Sequence, residues 1–405
     1  MYGIYKPPLI TSASLISIWF LIEYIVDKKT RFNLKNIARN KKILPSDSEI
    51  IQKVYEEIHR CENDKDEKDH LINSMNSAFT LSHNNLKSVF NKLNLYNSEK
   101  KTIDTQHMLW YPISLKYFFH IITILNLYYY DTLCYRKTFK YNNLVYIHTL
   151  TPNNYKSNKV AVIFLGLGGI LYPFNKLFRY LLEKDYKIII PLYGPAQSNL
   201  YQDYFYNETL YFKTIYDYLI SSNINEITIF AWSLGGLLYR GLHTYIMKKK
   251  IKERKNNISL QIKQAFLLET LLGSRGCIDT YFLKKRKVAN TISLLDSVIN
   301  CDCVFKKKKY YMYNRFLGYL FHTVVGFGTA NSFNFFTNVE FTEKDKAGYN
   351  RYLFLSDNDL IINPHLDKNL ITTNFNNECV YYRRGYHGGW PMSKDIIPIM
   401  NNIVK

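Results

Sequence analysis

Three side-chain types in this chain stand where nucleophilic chemistry could use them. A serine sits in Ala231-Trp232-Ser233-Leu234-Gly235-Gly236, with a small residue two places before it and a glycine two places after it. A histidine sits in Tyr386-His387-Gly388-Gly389, and two aspartates, Asp357 and Asp359, close the run RYLFLSDND. A glycine-rich segment, Phe164-Leu165-Gly166-Leu167-Gly168-Gly169, lies upstream of all three. Hydroxyl, imidazole and carboxylate are the parts of base-assisted acyl transfer, because a serine hydroxyl attacks only when a neighbouring base takes its proton. Each also has a plainer reading. A serine before a helix can cap it, glycines can make a turn, and Asp357 suits a turn. A phosphate cradle at 164–169 is disfavoured, since the third glycine and any following Gly-Lys-Ser/Thr are missing.

The elements that must hold these residues can be read from the pattern of apolar runs. YRKTFKY and LVYIHTL, joined through Asn142-Asn143, read as a β-hairpin. VAVIFL at 160–165, YKIIIPLY at 186–193, EITIFA at 226–231, QAFLLE at 264–269, RYLFLS at 351–356 and CVYYR at 379–383 read as strands, the most apolar of them buried on both faces. Helical stretches lie between them, at FNKLFRYLLEK and around 205–221. Alternation of this kind means a mainly parallel sheet with right-handed crossovers. The span from 270 to 345 is too long for a simple crossover and reads as a cap.

Placed on that frame, the motifs resemble the α/β-hydrolase superfamily, in its serine esterase and lipase-like members. A strand, then small-x-Ser-x-Gly, then a helix is similar to that family's nucleophile elbow, with Ala231 in place of its usual first glycine. Phe164–Gly169 is similar to its His-Gly-x-Gly-Gly segment, with Leu165 at the histidine position. The resemblance implies backbone N–H groups of Leu167 and Leu234 as the oxyanion hole. RYLFLSDNDLIINP is similar to the family's Gly-x-x-Asp-x-Val-Val-Pro, with Ser356 at the glycine, so Asp359 takes the place of the acid. Asp357 is the runner-up, and Glu269 holds the place where some relatives carry the acid instead. His387, 28 positions after Asp359, takes the place of the base. The remaining histidines lack a comparable setting: His107, His120 and His148 precede the core sheet, His243 reads as a surface residue, and His322 and His365 are reserves. Pro191–Ser198 is similar to Asp-x-x-Gly-x-Gly-x-Ser without its Asp and second glycine. The implied fold is α/β: a mainly parallel sheet flanked by helices, with a cap insertion and a helical N-terminal extension. The corresponding divisions are 1–131 for the extension, 132–269 and 346–405 for the core, and 270–345 for the cap.

The implied activity is hydrolysis of carboxylic esters or thioesters by Ser233, His387 and Asp359, with no metal and no organic cofactor. An acyltransferase with the same triad and an inactive scaffold are the alternatives. The aromatic and apolar content of 270–345 suits an acyl chain, and it suits ordinary cap packing as well. The formal charge of +20 would attract anionic surfaces, yet the basic residues are dispersed and no zinc-finger, RNA-binding or basic-helix signature accompanies them, so nucleic acid is not expected. Six cysteines form no disulfide framework, which points to a reducing, intracellular compartment. LITSASLISIWFLIEYIV at 9–26 is apolar and is followed by seven basic residues between Lys28 and Lys42. If it spans a bilayer, charge bias puts the rest of the chain on the cytoplasmic side; lying in the interface, where Glu23 costs less, and packing on the domain as a helix are the other readings. Residues 46–60 read as an amphipathic helix, and 109–130 as a helix lying over the domain or on a membrane surface. A lipid or acyl-ester substrate at a membrane surface is the expectation.

Overall fold

The computed structural model describes residues 113–201, 208–252, 260–270, 272, 348–357, 359, 368–385, 387–393 and 395–403. The apolar segment 9–26, the helix expected at 46–60 and the cap expected over 270–345 lie outside the described residues, apart from Thr270 and Leu272.

A helix, α1 (Ile113–Tyr128), leads into the hairpin β1 (Cys134–Tyr141) and β2 (Val145–Pro152), which pair antiparallel. Asn142 and Asn143 both adopt left-handed backbone, at φ 50° and 55°, and the Leu144 N–H closes the turn on Tyr141 O. Tyr141 pairs with Val145 across this turn, and asparagine is among the non-glycine residues that enter left-handed backbone at least cost. There follow β3 (Val160–Phe164), α2 (Asn175–Glu183), β4 (Lys187–Pro191), α3 (Glu208–Ser221), β5 (Glu226–Trp232), α4 (Gly235–Lys252) and β6 (Gln261–Leu268). After the undescribed span come β7 (Asn350–Ser356), α5 (Lys368–Asn374), β8 (Val380–Arg383), α6 (Gly389–Met392) and α7 (Ile396–Ile403). Every strand expected from the apolar runs is present.

The strands form one sheet in the order β1-β2-β4-β3-β5-β6-β7-β8. β4 meets β2 antiparallel, and every pair from β4-β3 through β7-β8 is parallel. This order, with the serine turn directly after the fifth strand, is the α/β-hydrolase fold. Alternating residues divide the sheet into two cores. Val162, Phe164, Ile229 and Ala231 join Ile215 and Leu242 of α3 and α4, while Ala161, Ile163, Phe230 and Trp232 join Phe178 of α2 and Met400 of α7. Helices therefore cover both faces, which is why β3 can be apolar throughout. Register also lines up aromatic rings on one face. Phe230 stacks on Phe266 at 4.8 Å between centroids, and Phe266 on Tyr352 at 5.2 Å.

The helix expected at 109–130 is seen over 113–128, on the second core face. Thr123 and Leu127 are buried, while Tyr117, Phe118, Ile121, Leu125 and Tyr128 are exposed. Among the described residues no helix is long and apolar enough to cross a membrane.

Candidate active site

Parallel pairing brings the carboxyl ends of the central strands to one edge of the sheet, and all the expected chemistry sits there. Ser233 leaves β5 with φ +54°, a left-handed conformation that only the surrounding structure can hold in a residue with a Cβ. Its N–H bonds Leu268 O of the neighbouring strand at 3.0 Å. Gly235 then starts α4 directly against β3. A Cβ there would press on the Phe164 carbonyl oxygen, with the carbonyl carbon 2.8 Å and the Phe164 Cβ 3.0 Å away. The glycine two places after the serine is thus demanded by the adjacent strand.

The glycine-rich loop packs on this turn. A Cβ at Gly166 would lie 3.0 Å from both Ser233 Cβ and Trp232 Cε3. The loop is held from its other side by the segment after β4. Gly168 N–H donates to Ala196 O at 2.8 Å, and Gly168 O accepts from Ser198 N at 3.2 Å and from Ser198 Oγ at 2.6 Å. Gly169, at φ +64°, lies so close to the Gln197 side chain that a Cβ would come within 2.5 Å of Gln197 Cδ. The partial match at 191–198 therefore acts as the brace of the expected oxyanion loop. Among the described residues no backbone acceptor takes the N–H of Leu167 or of Leu234.

His387 follows β8, and Gly388 after it turns the chain with φ +86°. His387 Nδ1 lies 2.7 Å from Asp359 Oδ2, with both side chains nearly excluded from solvent. The indole of Trp232, the residue before the serine, stacks on the imidazole at 5.4 Å and 21°. Burial alone would push the imidazole's pKa down, but the charge and hydrogen bond of Asp359, aided by the charge of Glu269, outweigh it and hold it above the ordinary value. The structure thus brings His387 and Asp359 together, beside the turn that carries Ser233. Ser233 Oγ makes no hydrogen bond among the described residues, so the imidazole–carboxylate contact is formed and the serine–imidazole contact is not. Such contacts often tighten only once substrate is bound.

The competing acids separate clearly. Asp357 is exposed, its N–H bonded to Arg383 O. Glu269 is fully buried but does not take the Nδ1 contact. Instead it receives four hydrogen bonds, from Ser356 Oγ, the Gly388 and Trp390 N–H groups, and Trp232 Nε1. Burial, joined by the charge of Asp359, pushes the Glu269 carboxyl upward, while the neighbouring imidazole and the bonds from Ser356 and Gly388 oppose the push. Glu269, Asp359 and His387 bring ligand-type atoms within 4.8 Å of one another. The Glu269 oxygens are already saturated by those donors and Nδ1 is held by Asp359, so the cluster is satisfied by hydrogen bonding without an ion.

Two histidine readings need correction. His243 is buried, not at the surface, because α4 turns it into the protein, where its Nδ1 lies 3.1 Å from Arg240 Nη1. His148 belongs to the sheet itself, in β2, and burial drives its pKa down to about 3. His107, His322 and His365 lie outside the described residues.

Fold and side chains together define an α/β-hydrolase scaffold carrying a hydroxyl, an imidazole and two carboxylates at one sheet edge. The chain is similar to a bromoperoxidase from Bacillus anthracis, at 14% identity over 67% of this chain and 99% of that one, with a TM-score of 0.44. A membrane phospholipase A described as a bacterial virulence factor is 12% identical over 71% of this chain and 92% of its own, at TM-score 0.49. An esterase from Exiguobacterium antarcticum is 13% identical over 66% and 97%, at TM-score 0.44. No protein-family model matches the sequence, and no curated protein does.

Proposed function

We propose that the chain is a serine hydrolase that cleaves carboxylic ester or thioester bonds. The observation that carries this is the 2.7 Å contact between His387 Nδ1 and Asp359 Oδ2, packed against the residue that precedes a left-handed serine. In this reading Ser233 Oγ attacks the carbonyl carbon while His387 Nε2 takes its proton. Asp359 fixes the tautomer and stabilises the imidazolium. The Leu167 and Leu234 N–H groups bind the oxyanion, and the imidazolium gives its proton to the departing alkoxide or thiolate. Water, activated by the same imidazole, then releases the acid and restores the serine.

An acyltransferase differs only in the last step, with an alcohol in place of water. A lipid or acyl substrate at a membrane surface is supported by the exposed apolar face of α1, where Tyr117, Phe118, Ile121 and Leu125 meet solvent. An intracellular site, with the catalytic part facing the cytoplasm, belongs to the same proposal. A fluorophosphonate probe tests the chemistry. Labelling of the folded chain that disappears in Ser233→Ala and His387→Ala supports it, and a folded chain that does not label refutes it. Acyl esters of graded length, with and without an added alcohol, then separate chain preference and hydrolysis from transfer.

A further inference from the structure

Glu269 has more hydrogen-bond donors aimed at it than any acid in the expected triad requires. Its side chain is completely buried, yet each carboxylate oxygen accepts two bonds. Oε1 receives Ser356 Oγ at 2.5 Å and Trp390 N at 3.3 Å; Oε2 receives Gly388 N at 2.5 Å and Trp232 Nε1 at 3.2 Å. An ionised carboxylate offers about four lone-pair sites, so this set fills it. The donors come from three separate stretches of chain: the strand feeding the serine, the strand feeding Asp359, and the turn that follows His387. Gly388 can turn its N–H toward the carboxylate because its φ is +86°. Glu269 itself is held at φ +45°, and its own N–H is tied to Phe354 O at 2.8 Å. The departure at Ser356 from the glycine implied by the resemblance also gains a reason, because a glycine could not donate from a side chain.

We propose that Glu269 is a positioning residue of this site: a second buried carboxylate, outside the Ser233–His387–Asp359 set, that pins the His387 turn to the serine strand and the acid strand. Its consequence for catalysis rests on the serine-hydrolase reading; its consequence for His387 rests only on the hydrogen bonds it accepts and on its charge beside the imidazole. Without it, the Gly388 and Trp390 N–H groups and the Trp232 indole lose their shared acceptor, and nothing else described ties the three stretches at one atom pair. A displacement of about 1 Å in a catalytic group can cost about a hundredfold in rate.

The test uses the full chain with isotope-labelled histidine. The imidazole of residue 387 is followed by NMR across pH and assigned by its loss in His387→Gln, and fluorophosphonate labelling is timed on the same samples. In Glu269→Gln the His387 midpoint moves to lower pH, since one of two carboxylates favouring the imidazolium is gone, and the plateau labelling rate falls roughly tenfold to a hundredfold. Glu269→Asp keeps the charge without the reach, so its midpoint stays near that of the unaltered chain while its plateau rate still falls. Trp232→Phe and Ser356→Ala each delete one donor and each lower the plateau rate severalfold; they decide the matter if Glu269→Gln does not fold. An unmoved midpoint in Glu269→Gln overturns the proposal, as do unchanged plateau rates in both donor variants. If the unaltered chain does not label, the hydrolase reading falls, and the His387 midpoint still decides the role of Glu269.

Discussion

Replacing Gly235 by alanine isolates the close approach on which the serine turn depends. The new Cβ would stand 2.8 Å from the Phe164 carbonyl carbon and 3.0 Å from its Cβ, against ordinary carbon–carbon contact at about 3.5–4.0 Å. Closer still is the carbonyl oxygen, which belongs to β3 and cannot rotate away. Relief therefore requires α4 to move off β3 by something near 1 Å, carrying the Ser233 turn and the Leu234 N–H with it. Overpacking of this kind costs about 1–3 kcal/mol, or a melting-point loss of roughly 2–4 °C for each kcal/mol in a domain of this size. The same shift displaces the Ser233 hydroxyl and the Leu234 N–H together, so under the proposed chemistry fluorophosphonate labelling falls by about a hundredfold. Gly348→Ala is the control, since a Cβ there meets nothing within 4 Å; it should leave stability within about 0.5 kcal/mol and labelling unchanged. A Gly235→Ala chain that melts and labels like the unaltered one would refute the account of the elbow.

Further outcomes follow from the same geometry. Asp359→Asn should cut turnover of an ester substrate by about 10⁴-fold through the wrong imidazole tautomer, while Asp357→Asn should have little effect, because Asp357 is exposed; the reverse ranking would reassign the acid. Ser233→Gly and Ser233→Ala both abolish labelling, but at φ +54° the glycine variant relieves left-handed strain that alanine keeps. Calorimetry should place it about 1 kcal/mol above the alanine variant. Gly169→Ala should disable labelling by driving Gln197 from its seat, and adding Gln197→Ala should restore part of it, with a coupling energy of about 0.5–3 kcal/mol in a double-mutant cycle. Hydrolysis should rise as pH climbs through the His387 midpoint, because only the neutral imidazole accepts the serine proton. That midpoint lies above the ordinary histidine value. For stability the sign is opposite: folding favours the imidazolium, so His387 adds most below the unfolded-chain value and loses that contribution as pH rises through the folded one.

The sheet was legible because each central strand is a short apolar run, a pattern imposed by burial on both faces, and because Asn142-Asn143 can be read as a turn from backbone preference alone. His387 and Asp359 were legible through what surrounds them: glycines that let the chain turn, and a preceding strand that fixes where it ends. Other features leave no local trace. The reason for glycine at 235 lies in Phe164, about seventy residues away in sequence, and the bracing of Gly168 by Ala196 and Ser198 depends on two loops that meet only after the strands pair. His243 is a similar case: from its place one helix beyond the serine turn it reads as a surface residue, and only the placement of α4 turns it toward Arg240.

Glu269 shows most clearly where reading along the chain stops. Its sequence setting, an apolar strand ending in one acid, fits an alternative triad carboxylate and gives no hint of a hub. Its partners lie 37, 87, 119 and 121 positions away, at Trp232, Ser356, Gly388 and Trp390. The backbone nonetheless carries a mark of function. Ser233 and Glu269 end neighbouring strands, and both are non-glycine residues held in left-handed conformation, at φ +54° and +45°. Strain of this kind persists only where surrounding contacts over-determine it. Here the two strained positions share one side chain, Trp232, whose indole bonds the carboxylate of one, immediately precedes the other, and stacks on the imidazole between them. Strain at the serine and strain at the glutamate are therefore parts of a single constraint, and its effect is to hold the imidazole.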